Sequence, residues 1–353
     1  MNRTPRGAQR KRYGAGLGAI GVAMVLALAG CSPADDGDAT ASDDVPFFFG
    51  AFATPLEEPW DGAVHDALQE VADEGLIRYE YVDQLATADE MERGLRDIIV
   101  NQQPDVIFGD SFAAEEAVRA VAADHPDTAF VFGSGGEEQE PNFSVFDNWL
   151  QDPGYLAGML AGGLSESNRI GVVAAMPIPE VNRIVNAFLE GVSETNADAT
   201  VTVSFINSFF DPATAKQAAE AAISGGADVL FAEREGVISA ALEYELPVIG
   251  MMTDQKSQAP EYVATSLVWH MRPTVEEVLA EVERDAFRAR NLGEYSFMIA
   301  GGSELADINR DTAYPIPDEL IERIAQREAE IRAGEFVTPV NEDVPPGVTG
   351  SGS

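Results

Sequence analysis

The sequence predicts an α/β protein built from two doubly wound parallel sheets, and two observations support this. Short apolar runs that suit buried strands alternate along the chain with stretches whose apolar residues recur at helical spacing. A run followed by such a stretch is typical of a parallel βα unit, whose right-handed crossovers cover both faces of an open sheet with helices. The alternation passes through two successive cycles, so the 353 residues are expected to form two lobes with a hinge cleft between them.

The first cycle opens with an apolar, aromatic run that suits a buried strand. A helix follows where Met91, Leu95 and Ile98 recur at helical spacing. Glycine ends the third strand, and the fourth strand closes the cycle. The strands are predicted at residues 45–54, 77–82, 105–109 and 129–133, and the helices at 60–74, 88–101 and 113–124.

The second cycle repeats the pattern, beginning with a glycine-rich helix. The spacing of Gly154, Gly158 and Gly162 would suit helix dimerisation in a membrane, but we expect it to permit close helix–sheet packing. Strands are predicted at residues 169–175, 200–206, 227–232, 246–251 and 262–268, and helices at 155–164, 179–195, 212–224, 236–244, 274–290 and 318–333.

The N-terminus has the three parts of a secretory signal: a basic segment, an apolar segment and small residues before a cysteine. Its end, Leu28-Ala29-Gly30-Cys31, resembles a bacterial lipobox, in which the cysteine thiol carries a diacylglycerol. We therefore expect a protein tethered by lipid to the extracytoplasmic face of the cell membrane. An ordinary cleaved signal is the alternative, and the apolar run is shorter than the ~20 residues that a membrane span needs.

The composition of the flanking segments completes the predicted division of the chain. The acidic, turn-rich segment after the cysteine has nothing to bury, and the Gly-, Pro- and Ser-rich end should also be loose. We predict a signal peptide at 1–31, a flexible tether at 32–44, an N-terminal lobe at 45–147 plus about 270–300, a C-terminal lobe at 148–269 plus about 301–336, and a disordered tail at 337–353.

Charge and motifs exclude several classes of function. With 60 acidic against 22 basic residues the net charge is −38, which repels nucleic acids. The single cysteine cannot form an internal disulfide. The sequence contains no Gly-x-Ser-x-Gly, His-Glu-x-x-His or Walker motif, so we predict no enzyme, no metal site and no cofactor. A hydrolase that uses cleft carboxylates is a remaining alternative.

Candidate binding residues lie just after the strands, because ligands of open parallel sheets bind beyond the carboxyl ends of the strands. These candidates are aromatic and polar, and we expect them to hold a flat heterocycle by stacking and hydrogen bonds. They are Trp60, Asp61, Asp110, Asn148, Phe209, Glu233, Asp254 and Trp269. Alternatively, Trp60 only packs on the sheet, Asp61 and Asp110 cap helices, and Asp254 begins a turn.

Several motifs, in order, resemble the basic membrane protein family, the substrate-binding lipoproteins of ABC importers. They include Gly154-Tyr155-Leu156-Ala157-Gly158, Ser208-Phe209-Phe210-Asp211-Pro212-Ala213 and Thr253-Asp254-Gln255, and the resemblance covers about residues 47–290. It implies the periplasmic-binding-protein type I fold with three crossovers between lobes. It also implies purine nucleosides as the usual cargo, a small-molecule ligand and an ABC permease as partners, and a monomer.

The ligand residues of that family are only partly present. Its base-stacking Phe-Asn pair falls on Trp60-Asp61, its ribose aspartate on Met252, and its lysine on Trp269. Two polar sugar contacts are thus replaced by apolar groups, which resembles family members proposed to hold a purine base. We expect Trp60 to sandwich the ring with Trp269 or Phe209. A receptor of the same fold for a sugar or autoinducer, feeding a sensor, is the alternative.

Overall fold

The computed structural model describes residues 45–112 and 114–348. Cys31 and the predicted signal and tether lie outside these residues, so lipid attachment stays a prediction. In the described part of the chain, no helix combines the length and the apolar character needed to cross a bilayer.

The first sheet has five parallel strands in the order β2-β1-β3-β4-β5. The strands are β1 (Phe47–Ala51), β2 (Arg78–Val82), β3 (Val106–Asp110), β4 (Ala129–Gly133) and β5 (Phe143–Phe146), and the helices are α1 (Pro59–Asp73), α2 (Ala88–Gln102) and α3 (Glu115–Asp124). The central strands are buried on both faces; Phe48 and Phe108, for example, stack at 5.8 Å in the core. Strand β5 was not predicted.

The second sheet has six strands in the order β11-β10-β9-β8-β6-β7. The strands are β6 (Arg169–Ala174), β7 (Thr200–Phe205), β8 (Val229–Ala232), β9 (Val248–Gly250), β10 (Val263–Trp269) and β11 (Ser303–Leu305), and the helices are α4 (Gln151–Leu164), α5 (Pro179–Thr195), α6 (Pro212–Ser224), α7 (Val237–Tyr244), α8 (Arg272–Glu283) and α9 (Asp318–Arg332). Only β11, also absent from the prediction, is antiparallel to its neighbour. The predicted α/β class with parallel sheets is confirmed.

The chain passes between the sheets three times. After β5 it enters the second sheet, and after β10 it returns through α8, which packs against α1. The backbone of Val145 in β5 then bonds Arg290 and Leu292, before β11 joins the second sheet. The predicted helix at 274–290 ends at Glu283, because the following residues run back to β5.

The C-terminal segment differs from the predicted disordered tail at residues 337–348. The side-chain amides of Asn182 and Asn186 on α5 donate to the backbone oxygens of residues 341–343. Further along, the backbone N–H of Val203 in β7 donates to the oxygen of Gly347. These bonds hold the segment against α5 and the edge strand of the second sheet.

Glycines allow α4 and α5 to approach backbone to backbone. A Cβ on Gly158 would overlap the backbone oxygen of Phe188, and one on Gly191 would overlap that of Tyr155. The glycine spacing in α4 therefore serves close packing as expected, although Gly158 faces a helix rather than a sheet.

Replacing Gly158 with alanine should destabilise the fold, because neither backbone can move without disturbing the other helix. We expect a loss of about 1–3 kcal/mol in the free energy of unfolding, measured by urea denaturation. The matched control is Gly94→Ala in α2, where the added Cβ would meet only the flexible end of Leu85 at 3.0 Å. There, helix propensity should make the change neutral or slightly stabilising. Equal effects at the two positions would contradict the close packing of α4 and α5.

Candidate functional site

A cavity of about 160 Å³ lies at the carboxyl ends of the strands, between residues that follow the first sheet and residues that follow the second. The first sheet and its loops contribute Glu58, Trp60, Asp110, Phe112 and Ser134, and the second contributes Glu180, Phe209 and Arg234. This cavity therefore occupies the position predicted for a ligand, and it is lined by aromatic rings, carboxyl groups and one guanidinium.

Three aromatic side chains, Trp60, Phe112 and Phe209, lie in the cavity lining, and each packs against another aromatic ring. Trp60, in the first turn of α1, stacks on Phe146 with ring centroids 5.5 Å apart and an angle of 14° between the planes. Phe112 follows β3 and meets the edge of Phe209, which follows β7, at 4.9 Å. The Phe112–Phe209 contact joins the two sides of the cavity, and Phe112 was not among the predicted residues.

Trp269 does not lie in the cavity wall, and the predicted sandwich of a ligand between Trp60 and Trp269 is not possible in this structure. The two indole rings touch each other at 5.1 Å, which leaves no space for a third ring. Trp269 is 3% exposed, and its indole N–H donates to Ser296 at 3.0 Å. It supports Trp60 from behind, and Phe209 is the aromatic ring that the second sheet brings to the cavity.

Glu58 connects α1 to the opposite side of the cavity. As the N-cap of α1, it accepts hydrogen bonds from the backbone N–H groups of Trp60 at 3.0 Å and Asp61 at 3.1 Å. Its other oxygen accepts a hydrogen bond from Arg234 at 3.3 Å. Burial raises the pKa of Glu58, while Arg234 opposes that rise. The sequence carries a signal for this cap, because Pro59 suits the first position of a helix and an acidic residue precedes it.

Arg234 is the cation of the cavity lining and is 5% exposed. Its Nη2 donates to Glu233 at 2.8 Å, and its Nη1 donates to Glu58 and, at 3.0 Å, to the backbone oxygen of Phe209. The predicted ligand residue Glu233 lies behind it, where it also accepts the backbone N–H of Ala175 at 2.8 Å. Glu233 therefore positions Arg234, which the sequence reading missed although it is the next residue.

Asp61 and Asp110 lie close enough for their charges to interact. Asp61 is buried outside the cavity lining and accepts hydrogen bonds from the backbone and hydroxyl of Thr54 at 2.9 and 2.6 Å. Burial, together with the charge of Asp110, raises the pKa of Asp61 well above its usual range. Asp110 lines the cavity and accepts the backbone N–H of Phe112 at 2.9 Å. Burial raises the pKa of Asp110 to about 6.

Glu180 and Asn148 form a second polar edge of the site. Glu180, in the first turn of α5, lines the cavity and accepts a hydrogen bond from the side-chain amide of Asn148 at 2.7 Å. Burial raises the pKa of Glu180 to about 8, and the charge of Asp147 adds to the effect. Asn148, predicted as a ligand contact, is fully buried behind Glu180. Nothing in the local sequence pattern identified Glu180, because only the tertiary fold brings α5 to the cavity.

Asp254 is not brought to the cavity. It is exposed, and its carboxylate accepts the backbone N–H of Lys256 at 3.0 Å, so it begins a turn. Among residues 45–112 and 114–348, no cluster of His, Cys, Asp and Glu has the arrangement of a metal site.

Comparisons with known proteins agree with this architecture. A family profile described as "ABC transporter substrate-binding protein PnrA-like" matches residues 53–295. A purine-binding protein of Brucella abortus is 24% identical over 262 residues, which cover 74% of this chain and 72% of that protein. A Haloferax volcanii protein, whose name provisionally assigns it glucose binding for an ABC transporter, is 39% identical over 178 residues. That match covers 50% of this chain and less than half, 44%, of the relative.

Among solved structures, a solute-binding protein of an ABC transporter system from Aeropyrum pernix aligns with a TM-score of 0.70 at 19% identity. The alignment covers 84% of this chain and 94% of that one. This likeness concerns the fold alone, and it confirms the predicted periplasmic-binding-protein type of architecture.

Replacing Arg234 with methionine should strongly destabilise the protein, because Glu58 and Glu233 would remain buried without a cation. We expect a loss of about 3–5 kcal/mol in the free energy of unfolding at pH 7, measured by chemical denaturation. Burial already raises the pKa of both carboxyls. Their protonation should therefore reduce the loss of stability at lower pH, and their ionisation should enlarge it at higher pH.

The control for this variant is Lys216→Met, which removes an exposed ion pair with Glu243 and should change stability by less than about 1 kcal/mol. A loss of the same size in both variants would contradict the structural role of the buried arginine.

Proposed function

We propose that this chain, which belongs to the family of PnrA-like ABC transporter substrate-binding proteins, captures a purine base in the cavity between its two sheets and delivers it to an ABC permease. The family binds solutes for transporters and acts outside the cytoplasm.

The observation that carries the proposal is the lining of the cavity. Trp60 lines the cavity from the first sheet and Phe209 from the second, a pair of aromatic side chains that suits a flat ring, and Asp110, Glu180 and Arg234 offer polar groups for its edges. A volume of about 160 Å³ is below the ~300 Å³ at which pockets for drug-sized molecules begin. The small volume favours a free base over a base that carries a ribose.

Contacts on both sides of the cavity provide a physical reason for ligand-dependent closure. A ligand that touches both sheets stabilises the closed form relative to the open one. A shift of the ratio of closed to open molecules from 1:99 to 99:1 needs about 5.5 kcal/mol of differential affinity for the closed form. Stacking at roughly 1 kcal/mol for each ring and several buried hydrogen bonds at about 0.5–1.5 kcal/mol each can supply that amount.

A sugar is the second candidate cargo, and the Haloferax volcanii relative named for glucose binding favours it. The Brucella abortus relative, named for purine binding and matched over a larger share of both chains, supports the base. A titration that offers both classes of ligand to the protein decides between them.

The proposal also includes attachment to the membrane through lipid on Cys31, as the lipobox-like sequence predicts. This anchor would keep the binding body near the permease.

Calorimetric titration of the purified chain with adenine, guanine, adenosine, inosine and glucose should separate the candidates. We expect heat and one-to-one binding with a free base, and affinity at least tenfold weaker for the nucleosides, because a ribose adds volume that a cavity of about 160 Å³ accommodates less well. Binding of glucose without binding of any purine would replace the purine proposal with the sugar one.

Replacing Trp60 with alanine should weaken binding of the base at least tenfold, which corresponds to about 1.4 kcal/mol, because one stacking face is lost. The matched control is Trp60→Phe, which keeps an aromatic face and removes an indole N–H that is buried without a hydrogen-bond partner among the described residues. We expect its affinity to stay within threefold of the wild type. Unchanged affinity in Trp60→Ala would mean that Trp60 only packs on the sheet.

A further inference from the structure

At the cavity, one carboxyl oxygen of Glu180 accepts a hydrogen bond from the described part of the chain and the other does not. The residue is 8% exposed and lies in the cavity wall. The oxygen Oε1 accepts the hydrogen bond from the Asn148 amide at 2.7 Å. Within the described residues, the oxygen Oε2 receives no hydrogen bond, although it belongs to a carboxyl group that lines the site.

The Asn148 amide favours one oxygen of Glu180 as the position of a proton. Asn148 is fully buried, and its backbone oxygen is held by Arg183 at 3.1 Å. Its side-chain N–H donates to Oε1, and the carbonyl oxygen of a carboxylic acid is a better acceptor than the hydroxyl oxygen. This hydrogen bond therefore favours the proton on Oε2, the oxygen that is free to meet a ligand.

The charges around Glu180 leave it without a cation of its own. Arg183 bonds Asp147 at 2.6 Å, and Arg234 bonds Glu233 at 2.8 Å, so both nearby arginines already have carboxylate partners. Asp147 and Glu233 raise the pKa of Glu180, the two arginines lower it, and burial has the largest effect. With a pKa of about 8, Glu180 is mostly a neutral carboxylic acid at pH 7.

We propose that Glu180 is a specificity-determining residue that donates a hydrogen bond from Oε2 to a ring nitrogen of the ligand. Asp110, from the first sheet, supplies the complementary acceptor for a ligand N–H. The pair selects a neutral nitrogen heterocycle that carries both an acceptor and a donor, and it disfavours a cation. This inference rests on the proposed capture of a purine base and names the group that recognises it.

The experiment compares the full-length wild type with Glu180→Gln by calorimetric titration of adenine from pH 6 to pH 9. Glutamine has the shape of the protonated acid; with its oxygen facing the Asn148 amide, it places an NH₂ donor where the acid has its O–H. We expect the two proteins to bind adenine within threefold of each other at pH 7. Affinity in the wild type should fall about tenfold between pH 7 and pH 9, because binding requires the protonated acid and the proton is lost as the pH rises through about 8.

The affinity of Glu180→Gln should not follow this alkaline fall, because its amide does not titrate. Two further variants sharpen the comparison. Glu180→Leu, which cannot donate, should bind at least tenfold more weakly at every pH, and Glu243→Gln, an exposed acid-to-amide change, should keep the pH profile of the wild type. Denaturation midpoints at pH 7 check that each variant is folded.

Two results would overturn the inference while leaving the proposed function in place. The first is a loss of more than tenfold for Glu180→Gln at pH 7, which would mean that Glu180 binds as a charged acceptor. The second is a wild-type affinity for adenine that stays constant up to pH 9. If none of the purines binds at any pH, the proposed function is wrong and the inference fails with it.

Discussion

A buried arginine links the two sheets at the candidate site, and the rest of the arrangement depends on it. Arg234 is held by Glu233 on its own side and bonds Glu58 on the other. Glu58 in turn caps the helix whose first turn carries Trp60, and Arg234 also bonds the backbone of Phe209. One guanidinium thus connects the elements that carry Trp60 and Phe209 on the two sides of the cavity.

Burial raises the pKa of the other acids that line the cavity, Asp110 to about 6 and Glu180 to about 8, so that of these two only Glu180 is mostly neutral at pH 7. The bonds of Arg234 go to Glu58 and Glu233, which leaves Asp110 and Glu180 in a buried environment without a direct cation. A buried carboxylate without a partner is costly, and proton uptake relieves the cost. Under our proposal, a strongly acidic chain thereby offers a neutral heterocycle both a donor, Glu180, and an acceptor, Asp110.

Local sequence patterns predicted the βα alternation well, because a buried parallel strand is apolar over its whole length and a covering helix repeats every 3.6 residues. They missed β5 and β11, which have only four and three residues, and β11 is antiparallel. The rule that ligands lie after strand ends found Trp60, Asp110 and Phe209. It could not show that Trp269 turns toward Ser296, nor that Glu180 and Arg234 reach the cavity, because these placements depend on contacts between elements distant in sequence.

The central claim is that the cavity between the sheets holds a flat base between Trp60 and Phe209. A crystal structure of the protein grown with saturating adenine tests it most directly. The account predicts the purine ring between these two side chains, with a ring nitrogen within hydrogen-bond distance of Glu180 Oε2. Adenine bound elsewhere on the protein, or a cavity that stays free of it at saturation, would contradict the account.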